Sequence, residues 1–193
     1  FAGILALAPA GGTAFNPTGG GIWQTVSATG ETELKNVPAT LTVGNVIVDT
    51  SANAQDGYWT TDTSGTLTVC QSTDSWNVHY DANSNTLTLK DATIKSGGTN
   101  SHGIYAQSDN PNVSLTILLD GKNSVAGKET GIYVEAWMAT GPVKAVLTLK
   151  KAEGAAEGSL TASGEEESGA GIYVEALMSA DSGGSGGSGD AQL

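Results

Sequence analysis

Arginine is absent from all 193 residues, and eight lysines stand against twenty acidic side chains, for a net charge of −12. A chain with so few cations cannot neutralise a row of phosphates, which excludes nucleic acid and anionic membrane surfaces as partners. It also lacks the planar guanidinium that clamps phosphates and carboxylates in pairs. One cysteine, Cys70, makes an internal disulfide impossible, so stability has to come from packing. A nucleophilic role for that thiol would need a neighbouring base. His79 and His102 are the only histidines, and no spacing in the sequence places either beside it. The apolar, alanine-rich run over residues 1–10 is too short to span a bilayer. It reads as the tail of a signal peptide, or else as an apolar first strand. Helical periodicity is also missing.

Short alternations of Val, Ile, Leu and Thr fill the chain instead, broken by Gly, Asn, Asp and Ser, which is the pattern of strands and turns. In the second half these alternations repeat. Leu87-Thr88-Leu89, Leu115-Thr116-Ile117 and Leu147-Thr148-Leu149 are one motif. Thr93-Ile94-Lys95, Ser124-Val125-Ala126 and Ser159-Leu160-Thr161 are a second. The third closes each unit: Gly103-Ile104-Tyr105, then two identical copies of GIYVEA at 131–136 and 171–176. Three strands per unit, in constant order with length changes confined to turns, predict an all-β, right-handed parallel β-helix of three-strand coils. Like positions should then lie over each other about 4.8 Å apart. In this arrangement Leu87, Leu115 and Leu147 point inward and Thr88, Thr116 and Thr148 outward. The glycine opening each GIY motif is expected at a corner of unusual φ.

Residues 22–80 lack the repeat but keep the strand pattern, so they are expected to form an N-terminal β-rich cap with Trp23, Trp59 and Trp76 partly buried. The remaining divisions are a signal-peptide remnant or disordered leader at 1–21, the coils at 81–181, and a Gly/Ser loop at 182–193 that leads to a further coil beyond this chain. An engineered linker is the rival reading of that loop.

The run WNVHYDANSNTLTLKDATIK, followed by GIY, LTILLDGKNSV, GIYVEA and GSLTASG, covers residues 76–180. It resembles the secreted repeat proteins of gut Firmicutes and the clostridial carbohydrate-binding parallel β-helix domains. The resemblance implies a bacterial surface or secreted module associated with polysaccharide, with no cofactor other than calcium as a candidate ion. No metal-ligating residue of that family matches a position here, so no calcium ligand is assigned.

The candidate binding residues follow from the repeat. Tyr105, Tyr133 and Tyr173 fall in one outward column and Gln107, Glu135 and Glu175 in the next. Aromatic faces stack on sugar rings, and carboxylates accept hydroxyl hydrogen bonds in pairs. The chain is therefore expected to be a non-catalytic polysaccharide-binding module, working alongside other modules of a longer protein. The alternatives are a structural spacer or adhesin stalk, in which the same tyrosines only brace the fold, and an enzyme. A lyase would need a basic proton acceptor and an acidic calcium site. A glycosidase would need two carboxyls about 5–9 Å apart, which Glu135 and Glu175 satisfy merely by sitting in the same repeat slot.

Overall fold

The computed structural model describes residues 23–25, 32–34, 36–70, 75–97, 101–108, 111–138, 143–167, 169–178 and 190–192. The expected leader at 1–21 and the Gly/Ser segment at 182–189 lie outside the described residues. The strands in chain order begin with β1 (Trp23–Thr25), β2 (Thr32–Leu34), β3 (Thr40–Val43), β4 (Val46–Val48), β5 (Gly57–Thr61), β6 (Leu67–Val69), β7 (Val78–Asp81) and β8 (Thr86–Lys90). They continue with β9 (Thr93–Lys95), β10 (His102–Ser108), β11 (Asn112–Gly127), β12 (Thr130–Met138), β13 (Lys144–Lys151), β14 (Gly158–Gly164), β15 (Ala170–Met178) and β16 (Asp190–Gln192). No helix occurs among the described residues.

The all-β expectation holds, but the parallel β-helix does not: β1 and β2 pair antiparallel by themselves, and the strands from β3 onward form two large mixed sheets. A five-stranded sheet runs β15-β12-β10-β3-β4, and a nine-stranded one follows β16-β13-β11-β8-β7-β5-β6, with β14 and β9 also paired to β11. β3/β4, β3/β10, β5/β6, β5/β7 and β7/β8 are antiparallel. Among the strands from β8 onward the pairs are parallel. For β3/β4, β5/β6 and β7/β8 connection length is the reason. Gly44 and Asn45 alone join β3 to β4, and residues 82–85 join β7 to β8, spans that close a hairpin but cannot make a parallel crossover. Gly44 supplies the left-handed conformation that such a turn needs, at φ 57. The repeat units, by contrast, are long enough to cross over.

Register differs from the expectation in two places. Leu115 pairs with Leu147 and Thr116 with Thr148 as expected, but Leu87 pairs with Ile117 and Thr88 with Leu118. The continuous threonine row is therefore Thr86, Thr116 and Thr148. In the second motif Ile94 pairs with Val125, while Val125 meets Ala162 rather than Leu160. Both shifts are of two residues. A two-residue shift keeps every side chain on its own face, whereas a one-residue slip would turn the apolar set to solvent. The corner glycines are also corrected. Gly103, Gly131 and Gly171 are not at positive φ; they are there because backbone passes too close for a Cβ. At Gly131 that atom would lie 2.6 Å from the Gly171 carbonyl oxygen and 2.8 Å from the Ser163 nitrogen.

One apolar core joins both halves of the chain. Leu41, Val43, Trp59, Leu67, Val78 and Tyr80 from the first half pack with Leu87, Leu89, Ile94, Ile104, Leu115, Ile117, Ile132 and Leu147. Of the tryptophans expected to be partly buried, Trp59 is buried and Trp76 half-buried, while the side chain of Trp23 lies outside the description. Cys70 is half-buried and donates to the Ser75 carbonyl at 3.4 Å.

Tyr80 is only 1 % exposed and donates its hydroxyl to Asn85 Oδ1 at 3.0 Å. Burial pushes that hydroxyl up to about 12, with Asp49 and Asp81 adding to the effect. A folded-state pKa above the unfolded value of about 10 gives stability that is complete below pH 10 and is lost as pH rises towards 12. The expected loss across that window is about 2 kcal/mol. Thermal melts from pH 8 to 12 should show it, and Tyr80→Phe should flatten this slope while costing about 1 kcal/mol at neutral pH for the lost hydrogen bond.

Candidate functional site

The outer face of the five-stranded sheet carries the candidate residues. Along β12 burial alternates: Ile132, Val134 and Ala136 are buried, while Tyr133 and Glu135 are half-buried and Trp137 is exposed. This period of two is what a strand with one face on the core requires. Parallel pairing then fixes neighbours. Tyr105 lies beside Tyr133 and Gln107 beside Glu135; Tyr133 lies beside Tyr173 and Glu135 beside Glu175. All six candidate residues are thus brought onto one face in two adjoining columns.

Hydrogen bonds run diagonally between the columns. The Tyr105 hydroxyl donates to Glu135 Oε2 at 3.0 Å, and the Tyr133 hydroxyl donates to Glu175 Oε2 at 2.8 Å. Each tyrosine therefore reaches one strand across and two residues forward. Ring centroids are 5.5 Å apart for Tyr105 and Tyr133 and 5.4 Å for Tyr133 and Tyr173, with the planes tilted by 40° and 50°. These are tilted contacts of the favourable kind, not a coplanar platform. Burial, then the bond to Glu175, then the charges of Glu135 and Glu175, raise the Tyr133 pKa well above the ordinary tyrosine range. Its hydroxyl stays a donor under any physiological condition. His102 flanks the column, 5.3 Å from Tyr105 and 4.8 Å from Tyr133 between centroids. Burial lowers its pKa, against the opposing pull of Glu129 and Glu135.

Three features of this face escaped the sequence reading. Thr42 on β3 continues the tyrosine row and Thr40 the glutamine row, because β3 pairs antiparallel with β10. That pairing is long-range and has no signal in the sequence. Trp137 and its partner Leu177 form a third outward column, 42 % and 38 % exposed. Here the signal was present, since Trp137 shares the parity of Tyr133 and Glu135. The third is a groove of about 330 Å³ beside the last tyrosine, lined by Glu129, Thr130, Glu166, Gly169, Ala170 and Tyr173. Lys128 Nζ lies 3.4 Å from Glu166 next to it.

Among the described residues no group of three or more His, Cys, Asp and Glu side chains is placed to hold a metal ion. No protein-family model, curated protein or solved structure matches the chain.

Proposed function

We propose that this chain is a non-catalytic, secreted or surface-displayed bacterial module that binds polysaccharide on the outer face of its five-stranded sheet. One observation carries the reading: Tyr105, Tyr133 and Tyr173 stand in register beside Gln107, Glu135 and Glu175. Aromatic side chains therefore stand beside hydrogen-bonding carboxyl and amide groups over several strands, a surface suited to the apolar faces and hydroxyls of a sugar polymer. Rings bury the apolar faces of sugars, and each carboxylate has a second oxygen beyond the one its tyrosine occupies, with lone pairs that accept a hydroxyl. The motif cadence over residues 76–180 supports the same class of function, and the net charge of −12 keeps the module from polyanions such as nucleic acid.

A second reading has its own observation. The Tyr–Glu hydrogen bonds and tilted ring contacts tie three strands together, which is what a rigid spacer needs from the same residues. Retention on insoluble polysaccharides separates the two. For a binder, the full chain is retained on at least one polymer and Tyr133→Ala with Tyr173→Ala loses that retention, while Tyr133→Phe, which keeps the ring, holds most of it. A spacer is retained on none. Circular dichroism melts of the same variants establish that a loss comes from the face and not from unfolding.

A further inference from the structure

The outer face is uneven in what it leaves open. Tyr133 has a ring against it on either side, at 5.5 Å and 5.4 Å, and its hydroxyl is committed to Glu175. A sugar moving up the tyrosine column from Tyr173 therefore meets no second free ring face. Tyr173 itself is 47 % exposed and Trp137 42 %. These two sit on adjacent strands, and pairing of Tyr133 with Tyr173 and of Trp137 with Leu177 places them four residues apart along the strand direction. At about 3.3 Å per residue that is about 13 Å, the length of two to three sugar units. Between the two aromatic positions lie Glu135 and Glu175, side by side.

Charge around this line has one sign. Glu135 and Glu175 lie in its middle and Glu129 and Glu166 line the groove at Tyr173. No lysine occupies any of the three columns among the described residues, and Lys128 lies 3.4 Å from a Glu166 carboxylate oxygen. A uronate or sulfated chain would bring like charges well inside the screening distance of about 8 Å. Neutral hydroxyls donate to those carboxylates, and ammonium groups pair with them.

Resting on the polysaccharide reading above, we infer that Trp137 and Tyr173 are the two ends of one subsite. It takes a non-anionic glycan, of neutral or amino-bearing sugars, lying along the strands rather than across them. Trp137 stacks one sugar with Leu177 flanking it, Tyr173 stacks another, and Glu135 and Glu175 accept hydroxyls from the unit between.

Titration calorimetry on the full chain tests this with hexasaccharides of glucose, glucosamine and galacturonic acid. The expected result is binding of the glucose or glucosamine hexamer and none of the galacturonate hexamer. Trp137→Ala should weaken the affinity at least tenfold with the melting temperature unchanged, and Trp137→Phe should keep most of it. Unchanged affinity in Trp137→Ala, with binding still lost in Tyr133→Ala with Tyr173→Ala, overturns the subsite and leaves the broader reading standing. Preference for the galacturonate hexamer overturns the charge assignment. A chain that binds neither the three hexamers nor any insoluble polymer overturns both.

Discussion

Gly131→Ala should destabilise the protein by about 3 kcal/mol, seen as a lower denaturant midpoint with little change in slope. Gly131 sits where β12 leaves the corner. A Cβ there would lie 2.6 Å from the Gly171 carbonyl oxygen, 2.8 Å from the Ser163 nitrogen and 2.9 Å from the Val125 carbonyl oxygen. All three are backbone atoms, held in ladders that cannot move singly. Relief requires shifting β12 against β15, β14 and β11, and hence disturbing the tyrosine column that β12 enters two residues later at Tyr133. A small rotamer change cannot help. Gly154 is the control: a Cβ there meets nothing within 4 Å, although φ is +77. Gly154→Ala should cost only the backbone strain of about 1 kcal/mol. Equal losses at the two positions would show that crowding is not what Gly131 avoids.

Asn123→Asp should be the most damaging change of a single polar group, lowering Tm by about 10 °C at pH 7. Asn123 is 4 % exposed, and its amide joins three segments. Oδ1 accepts from the Ala92 backbone N–H at 2.9 Å, while Nδ2 donates to the carbonyls of Asp120, Gly121 and Ser159 at 3.1, 3.4 and 3.2 Å. Asn123→Ala removes all of these and leaves buried backbone groups unpaired, a cost of about 2–3 kcal/mol. Asn123→Asp is worse, because it turns a buried negative charge toward three carbonyl oxygens; an unpaired buried charge costs about 3–5 kcal/mol. That carboxyl would have a folded-state pKa above its unfolded value. The stability it permits is then present below the unfolded pKa of about 4 and lost as pH rises through the folded one. The gap in Tm between variant and parent should accordingly narrow from pH 7 to pH 4. A gap that stays constant or widens on acidification would refute the assignment of Nδ2 to the carbonyl side.

Much of the candidate face was legible before any coordinates. The two GIYVEA copies determine that Tyr133 pairs with Tyr173 and Glu135 with Glu175, because identical strands in parallel register superpose identical residues. Extending that column to Tyr105 and Gln107 needed only the shorter GIY match. Trp137 could have been found by the same parity argument, carried two residues beyond the copied motif. Thr40 and Thr42 could not, since they reach the face through antiparallel pairing between segments about 60 residues apart in the chain.

Local alternation also settled that the protein is built of strands, and which side chains of the repeat strands face the core, because a period of two survives whatever the strand pairs with; it fails in β6, where Leu67 is buried and Val69, of the same parity, is exposed. It left open which strands become partners and in which direction. The short connections of the first half impose hairpins, and β3 joins β10 antiparallel across a long span, so the two sheets are mixed where the repeat alone implied uniform parallel stacking. Two pairings in the second half slide by two residues, a displacement that hydrophobic patterning cannot detect because inside stays inside. The diagonal bonds from Tyr105 to Glu135 and from Tyr133 to Glu175, and the uneven exposure that sets Tyr173 and Trp137 apart, depend on neighbouring strands. Only the assembled sheet decides them.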